Sequence, residues 1–309
     1  MSRNAYLLLA LTSLFWGGNA VAGKLAVGHV SPMTLNLVRW SIAAVILAAF
    51  ALPYVRRDWP LLRRRLPFLL VMGAIGFTGF NAAMYSALQY TSTINVSIEQ
   101  AALPMVIFAI NFALFGLRVT WVQIAGFVVS LAGVAVVASH GELRRLAALD
   151  VNFGDALMVV AILAYGAYTA ALRYKPAVHW LSLLFVLVLS AVATSIPFAA
   201  WEVASGNAIL PDARGWAVVA YTAIFPSLLS QAFYIRGVEL IGANRAGLFI
   251  NLVPIFGTLG AILILSEAFH AYHALAILLV LGGIALAETS GRRQAVREAE
   301  AQASGTGTV

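Results

Sequence analysis

Apolar stretches long enough to cross a lipid bilayer recur along this chain, and that recurrence limits its fold more than any motif does. A hydrocarbon core about 30 Å thick is spanned by roughly 20 apolar residues in a helix. Such runs occur at about 5–27, 33–55, 66–89, 94–115, 121–139, 153–172, 179–202, 215–236, 244–265 and 272–290. The connections between them are short and carry Pro, Gly or charge. Of 309 residues, 62% are hydrophobic and 10% charged, against about 25% charged in a soluble domain. A soluble fold has too little interior to hide that much apolar surface. The sequence therefore predicts an all-α integral membrane protein of ten transmembrane helices.

The net charge of +7 is not the footprint of a nucleic-acid binder, because the basic residues sit in the connections. With the N-terminus cytoplasmic, the inner side carries Arg3, Arg56, Arg57, Arg63, Arg64, Arg65, Arg118, Arg173, Lys175, Arg236, Arg245, Arg292, Arg293 and Arg297. The outer side carries Arg144, Arg145 and Arg214. This asymmetry of 14 to 3 predicts both termini inside. Cys is absent, which removes disulfides, thiolate catalysis and Cys-ligated metals. The N-terminal run imitates a signal peptide ending at Ala20-Val21-Ala22, but its apolar stretch continues past that point as a first span does.

A repeat lies beneath the runs. Ala-Leu-Pro104 is followed at 22 residues by Gly126 and at 29 by Gly133; Leu-Val-Pro254 is followed at the same offsets by Ala276 and Gly283. Two halves of five helices in one chain must be oppositely oriented, because five is odd. The expected organisation is a first repeat over 1–139, a periplasmic connection over 140–152, a second repeat over 153–290 and a flexible cytoplasmic tail over 291–309. Inverted repeats of this kind hold a solute near the midplane, at the repeat interface.

Polar side chains inside the spans recur at helical spacing and so share faces. Thr78, Asn81, Tyr85 and Gln89 form one stripe; Ser97, Gln100, Pro104 and Asn111 form another. Ser227, Gln231 and Tyr234 align on the eighth span, and Asn244, Asn251, Pro254 and Thr258 on the ninth. Trp16, Asn19, Tyr165 and Tyr168 add rings and an amide. From these, the expected lining of a central cavity is Trp16, Asn19, Asn81, Tyr85, Gln100, Tyr165, Tyr168, Gln231, Tyr234 and Asn251. The alternative is that they only join helices to one another, as such groups do in membranes. Pro104 and Pro254, at repeat-related positions, are the hinge candidates.

Three ionisable residues fall within spans: Lys24, Arg39 and Glu99. The plainer expectation pairs Glu99 with Arg39 or Lys24; the sharper one makes Glu99 a titrating group that couples solute movement to protons. The five histidines fall at loops or helix ends and read as surface residues; His270 and His273, three apart, lack further ligands for a metal. There is no phosphate loop, Gly-x-Ser-x-Gly or dinucleotide fingerprint, so neither a cofactor nor enzymatic activity is expected.

Phe15-Trp16-Gly17-Gly18-Asn19, Lys24, Ser31-Pro32 and Arg39 resemble the opening of the EamA-type drug/metabolite transporters. Gly154-Asp155, Tyr165-Gly166-Ala167-Tyr168 and Arg173 resemble the start of that family's second half. Pro254, Ser266-Glu267 and Gly282-Gly283 are similar to its closing pair of helices. One departure is visible: the family often carries Glu after the fourth helix, where this chain has Phe115-Gly116-Leu117-Arg118. A symmetric pair of carboxylates with Glu267 is therefore not carried over. The resemblance implies ten helices around a central cavity, in the bacterial cytoplasmic membrane. The polar and aromatic lining is most similar to the aromatic amino-acid exporter branch.

The expected function is thus a secondary transporter or facilitator exporting amino acids, aromatic or bulky and apolar, by alternating access. A broad-specificity drug/metabolite exporter is the alternative, and a membrane-embedded enzyme on lipid-linked substrates a remote one. The expected partners are a small-molecule solute and the bilayer, with no nucleic acid and a monomeric chain as the simplest assembly.

Overall fold

The computed structural model describes residues 2–115, 120–142, 152–241 and 249–286, and among these every regular element is helical. The helices are α1 (Ser2–Ala26), α2 (Pro32–Leu62), α3 (Leu66–Gly73), α4 (Phe80–Ala87), α5 (Thr93–Gln100), α6 (Leu103–Phe115) and α7 (Trp121–Ala138). They are followed by α8 (Phe153–Ala171), α9 (Trp180–Ala204), α10 (Ala213–Ile224), α11 (Ser230–Ile241) and α12 (Val253–Leu265), then α13 (Ala271–Leu286). Seven helical runs are long and apolar enough to cross a membrane, and α12 and α13 are shorter apolar helices. The run over Pro32–Ala87 has 56 residues, about 84 Å at 1.5 Å per residue, far more than one bilayer crossing needs. A 3₁₀ turn at Arg63–Arg65 interrupts it. The tail over 291–309, the Pro-repeat Asn244 and much of the 140–152 connection lie outside the described residues.

Large apolar side chains point outward. Trp121 is 84% exposed, Leu263 79% and Val45 75%, an arrangement that suits a lipid solvent. Inside, three apolar clusters bind the helices. Trp40, Leu47, Leu69, Phe77 and Leu187 join α2, α3 and α9. Leu35, Met84, Leu88, Met158 and Val219 join α2, α4, α8 and α10. Ile94, Ile98, Val137, Ala261 and Val280 join α5, α7, α12 and α13.

Several helix ends are closed by carboxylates borrowed from other helices. Glu202, near the end of α9, accepts from Met33 N (3.1 Å), Thr34 N (2.9 Å), Thr34 Oγ1 (2.9 Å) and Ser31 Oγ (2.5 Å) at the start of α2. Asp58, near the end of α2, accepts from His179 N (2.8 Å) and Ser182 Oγ (2.8 Å) at the start of α9. Each of this pair thus caps the other, where unpaired N–H groups and the helix dipole favour an anion. Glu267, just beyond α12, does the same for α5 through Thr93 N (2.9 Å) and Ile94 N (3.0 Å). Asp212 caps α10 through Gly215 N (2.8 Å) and meets His29 Nδ1 at 2.7 Å. Those two contacts hold its carboxyl below the ordinary range.

Irregular turns punctuate the helices in matching places. A π-helical segment at Ala74–Gly79 joins α3 to α4, and another at Phe225–Leu229 joins α10 to α11. Two-residue breaks at Ala101–Ala102 and Asn251–Leu252 precede α6 and α12. Pro104 and Pro254 therefore sit in the first turn of a new helix, where a missing N–H costs nothing, and do not kink a continuous one. The small residues found at equal offsets from these prolines pack on one another. A methyl group at Gly133 would stand 2.9 Å from Ala276 O, and one at Gly283 would collide with Gly126 O.

Candidate functional site

Two turns into α2, Arg39 lies 2% exposed, and its guanidinium gathers side chains from three other segments. Nη1 donates to Asn81 Oδ1 (2.8 Å), to Asn19 Oδ1 (3.4 Å) and to the Tyr85 hydroxyl. Nε and Nη2 donate to Ser227 Oγ at 3.3 and 2.7 Å. Tyr85 in turn donates to Asn19 Oδ1 at 2.9 Å, and the cation lies 4.7 Å from the Trp40 ring centroid. Ser227 belongs to the π-helical segment, and its hydroxyl donates to Thr222 O (2.8 Å), five residues back. The wide turn frees that carbonyl and so positions the hydroxyl against Arg39.

All of these partners are neutral. Among the described residues the ion pairs are His29 with Asp212 and Arg57 with Asp58, so no carboxylate balances Arg39. The expected pairing with Glu99 does not form. Glu99, on α5, is 1% exposed and neither oxygen has a hydrogen-bond partner. Lys24 does not pair with it either: its Nζ donates to Leu88 O and Thr91 O, both at 2.8 Å. A cation is favoured there because the last carbonyls after α4 are otherwise open.

Around this centre runs a band of half-buried rings. Trp16 faces Tyr234 with centroids 5.6 Å apart, and its Nε1 donates to Pro226 O at 3.3 Å. Tyr165 lies 5.4 Å from Tyr168 and 5.1 Å from Phe80. Tyr168 meets Phe77 at 5.5 Å and leans over Gly76, where any side chain would collide with it. Gln100, Gln231 and Asn251 are likewise half-buried, whereas Asn19, Asn81 and Tyr85 are buried in the Arg39 network. A cleft bounded by Gly23, Ala26, Val30, Leu35, Tyr85 and Gln89 encloses about 10 Å³, room for about one water. Small-molecule sites enclose about 300–1,000 Å³, so at this cleft the packing is closed.

Not every polar stripe faces this centre. Thr78 bonds Ala191 O (3.0 Å) and Thr194 Oγ1 (2.7 Å), tying the π-helical segment to α9. Ser97 is wedged against Gly257, and Gln89 is exposed at the helix end. The side chain of Asn111 lies outside the described ones. His273, expected at the surface, is 2% exposed, and its Nε2 stands 3.2 Å from Asn95 Oδ1.

The amino-acid sequence that builds this fold matches a known family model over most of its length. The model described as the EamA-like transporter family matches residues 3–139 and 152–289. The chain belongs to that family. Among its relatives, an "Uncharacterized transporter YetK" of Bacillus subtilis (strain 168) is 26% identical over 284 residues, covering 91% of this chain and 85% of that one. A "Probable terminal-alkyne amino-acid exporter" of Streptantibioticus cattleyicolor is 30% identical over 138 residues, covering 44% and 46%. A solved crystal structure with 21% identity superposes with a TM-score of 0.63 over 94% of this chain and 98% of its own. This EamA-like chain is therefore a multi-pass membrane transporter.

One part of the centre, and one acid away from it, escaped the sequence. Asp155, in the first turn of α8, is 1% exposed, and its place beside Gly154 gave no sign of that burial. Ser227 stood in a polar stripe, but nothing in its spacing tied it to Arg39, 188 residues away.

Proposed function

We propose that this EamA-like transporter exports amino acids, aromatic or bulky and apolar, by alternating access. The observation that carries the reading is the buried Arg39 guanidinium, balanced by no carboxylate among the described residues and ringed by half-buried aromatic groups. A solute that brings one carboxylate and one ring satisfies both. The carboxylate approaches Arg39 with Asn19, Asn81 and Tyr85, and the ring stacks among Trp16, Tyr165, Tyr168 and Tyr234. Gln100, Gln231 and Asn251 are left for the ammonium group and the solute's edges. A fixed cation at the centre works against organic cations, which disfavours the drug-exporter alternative. The amino-acid exporter among the relatives supports the same direction.

The architecture attached to this reading is ten crossings in two inverted halves. It is supported by the paired π-helical segments, the paired breaks before Pro104 and Pro254, the mutual capping of Asp58 and Glu202, and the Gly133–Ala276 and Gly126–Gly283 contacts. These all exchange residues of one half for those of the other. Pro104 and Pro254 are the hinges, and both termini face the cytoplasm of a bacterial inner membrane.

The test is uptake of labelled Phe and Trp into liposomes holding purified protein. Saturable flux above empty liposomes is expected. Tyr165→Ala, measured in monodisperse protein, should weaken Phe binding by about 1 kcal/mol, roughly fivefold in KM. Competition by planar cations but not by amino acids would turn the assignment to the drug-exporter alternative.

A further inference from the structure

A second polar cluster sits away from Arg39, between α5, α8 and α13. Asn95, at the first turn of α5, is bonded on both sides. His273 Nδ1 accepts the backbone N–H of His270 at 3.0 Å, so the ring proton of a neutral His273 is on Nε2, which faces Asn95 Oδ1 at 3.2 Å. Asn95 Nδ2 then donates to Thr91 Oγ1 at 3.2 Å. That leaves the Thr91 hydroxyl proton and the second Asn95 amide proton to be given onward. Asp155 lies near them, 1% exposed, and neither of its oxygens is hydrogen-bonded among the described residues. The backbone brings it there: Gly154 packs on Ala87 O and Thr91 so closely that a methyl group would stand 2.7 Å from the carbonyl.

Glu99 lies one helical turn beyond Asn95 on the same face, near enough to Asp155 for their charges to repel. Both carboxylates are buried, and among the described residues neither has a hydrogen-bond donor at either oxygen. The remaining charged or titratable groups around α5 are already engaged or lie at its end. Lys24 from α1 is held by Leu88 O and Thr91 O, and Glu267 after α12 caps α5. His140 follows α7, near Tyr272, and His273 belongs to α13.

We propose that Glu99 is the proton-carrying site of this transporter, with Asp155 as a second buried acid near it and His270, His273 and Asn95 as the polar route from one aqueous face. In the step itself, a proton leaves a hydronium ion, forms an O–H bond on a Glu99 oxygen and gives a neutral carboxyl plus water. On the other face of the membrane that O–H bond breaks and the proton passes to water, leaving the carboxylate. The closed packing around Glu99 accepts only the neutral form, because an ion there is shut off from bulk solvent and meets no donor among the described residues. The charged form requires the α5 region to open. Proton binding and helix closure are thereby one event. Charge asymmetry puts the His270 end outside, so the inward proton gradient opposes outward solute flow and drives export.

Proton occupancy is measured without any solute. Infrared difference spectra of the purified full-length protein at neutral pH should show a protonated-carboxyl C=O band that is lost in Glu99→Gln and regained, shifted, in Glu99→Asp. A wild type without that band, or a Glu99→Gln variant that keeps it, overturns the proposal. The flux arm rests on the amino-acid reading. With Phe, a pH gradient should stimulate wild-type transport, while Glu99→Gln loses that stimulation and keeps Phe counterflow. Gradient-stimulated Phe transport in Glu99→Gln, or stimulation by a sodium gradient in place of a proton gradient, also overturns it. Absence of any Phe flux in the wild type would defeat the solute assignment instead, and the infrared result would still decide the proton site.

Discussion

Arg39 holds a full charge among groups that do not need it. Asn81 Nδ2 donates to Phe77 O (2.8 Å), Tyr85 donates to Asn19, and Ser227 donates to Thr222 O. Removing the guanidinium leaves each of these side chains one partner, with Asn81 Oδ1 open. It also lifts the cost of holding a lone charge away from water, which offsets the hydrogen bonds lost. Arg39→Met is therefore expected to change the melting temperature in detergent little, by less than about 1 kcal/mol of stability, while Phe flux is lost. A strong fall in stability with flux retained in the surviving protein would make Arg39 a structural strut. The sequence exposed this residue as an intramembrane charge but not its surroundings. Pairing it with Glu99 was reasonable from depth alone, since both stand a similar distance along their spans. Which faces meet is set by helix rotation, which a linear pattern does not carry.

At the scale of elements, apolar runs predicted an all-helical membrane protein, and seven spanning runs stand among the described residues, because length and hydropathy are what the bilayer selects. The irregular turns were less legible. Pro104 and Pro254 signalled breaks, but the π-helical segments at Ala74–Gly79 and Phe225–Leu229 leave no composition mark beyond Gly76, Gly79 and Pro226. The capping role of the carboxylates has no local mark in the sequence, since their partners lie far off: Glu202 is 168 residues from Thr34. Glu202 accepts four donors at once and is 5% exposed. Glu202→Ala strips α2 of its cap and leaves two backbone N–H groups open, at an expected cost of about 1–3 kcal/mol. Glu202→Gln, which keeps an acceptor oxygen, should cost less. Thermal melts of the two variants in the same detergent give the order, and equal losses would mean that packing of the α9 end, not capping, holds α2.

For the whole molecule, the question is what keeps α5 against α12. Their seam is tight: Gly257 has no room for a side chain beside Ser97, and Ser97 is 2% exposed with its hydroxyl unpartnered. At one end the seam is clasped by Glu267, whose carboxylate takes Thr93 N and Ile94 N at 2.9 and 3.0 Å. The repeat-related clasp at the other end has no acid in Phe115-Gly116-Leu117-Arg118. One end is thus fastened by an anion on a helix N-terminus, and the matching carboxylate is missing at the other. In a two-state carrier this asymmetry biases the resting population toward closure at the Glu267 end. The chain contains no Cys, so a single thiol reports the seam without background. Ser97→Cys is close to isosteric and should react slowly with a membrane-impermeant maleimide added from the outside. Adding Glu267→Ala removes the clasp, and labelling should then accelerate several-fold, as a loss of about 1–3 kcal/mol in the closed state allows. Unchanged labelling would show that the apolar packing of Ile94, Ile98 and Ala261 closes the seam unaided, and that Glu267 only caps its helix.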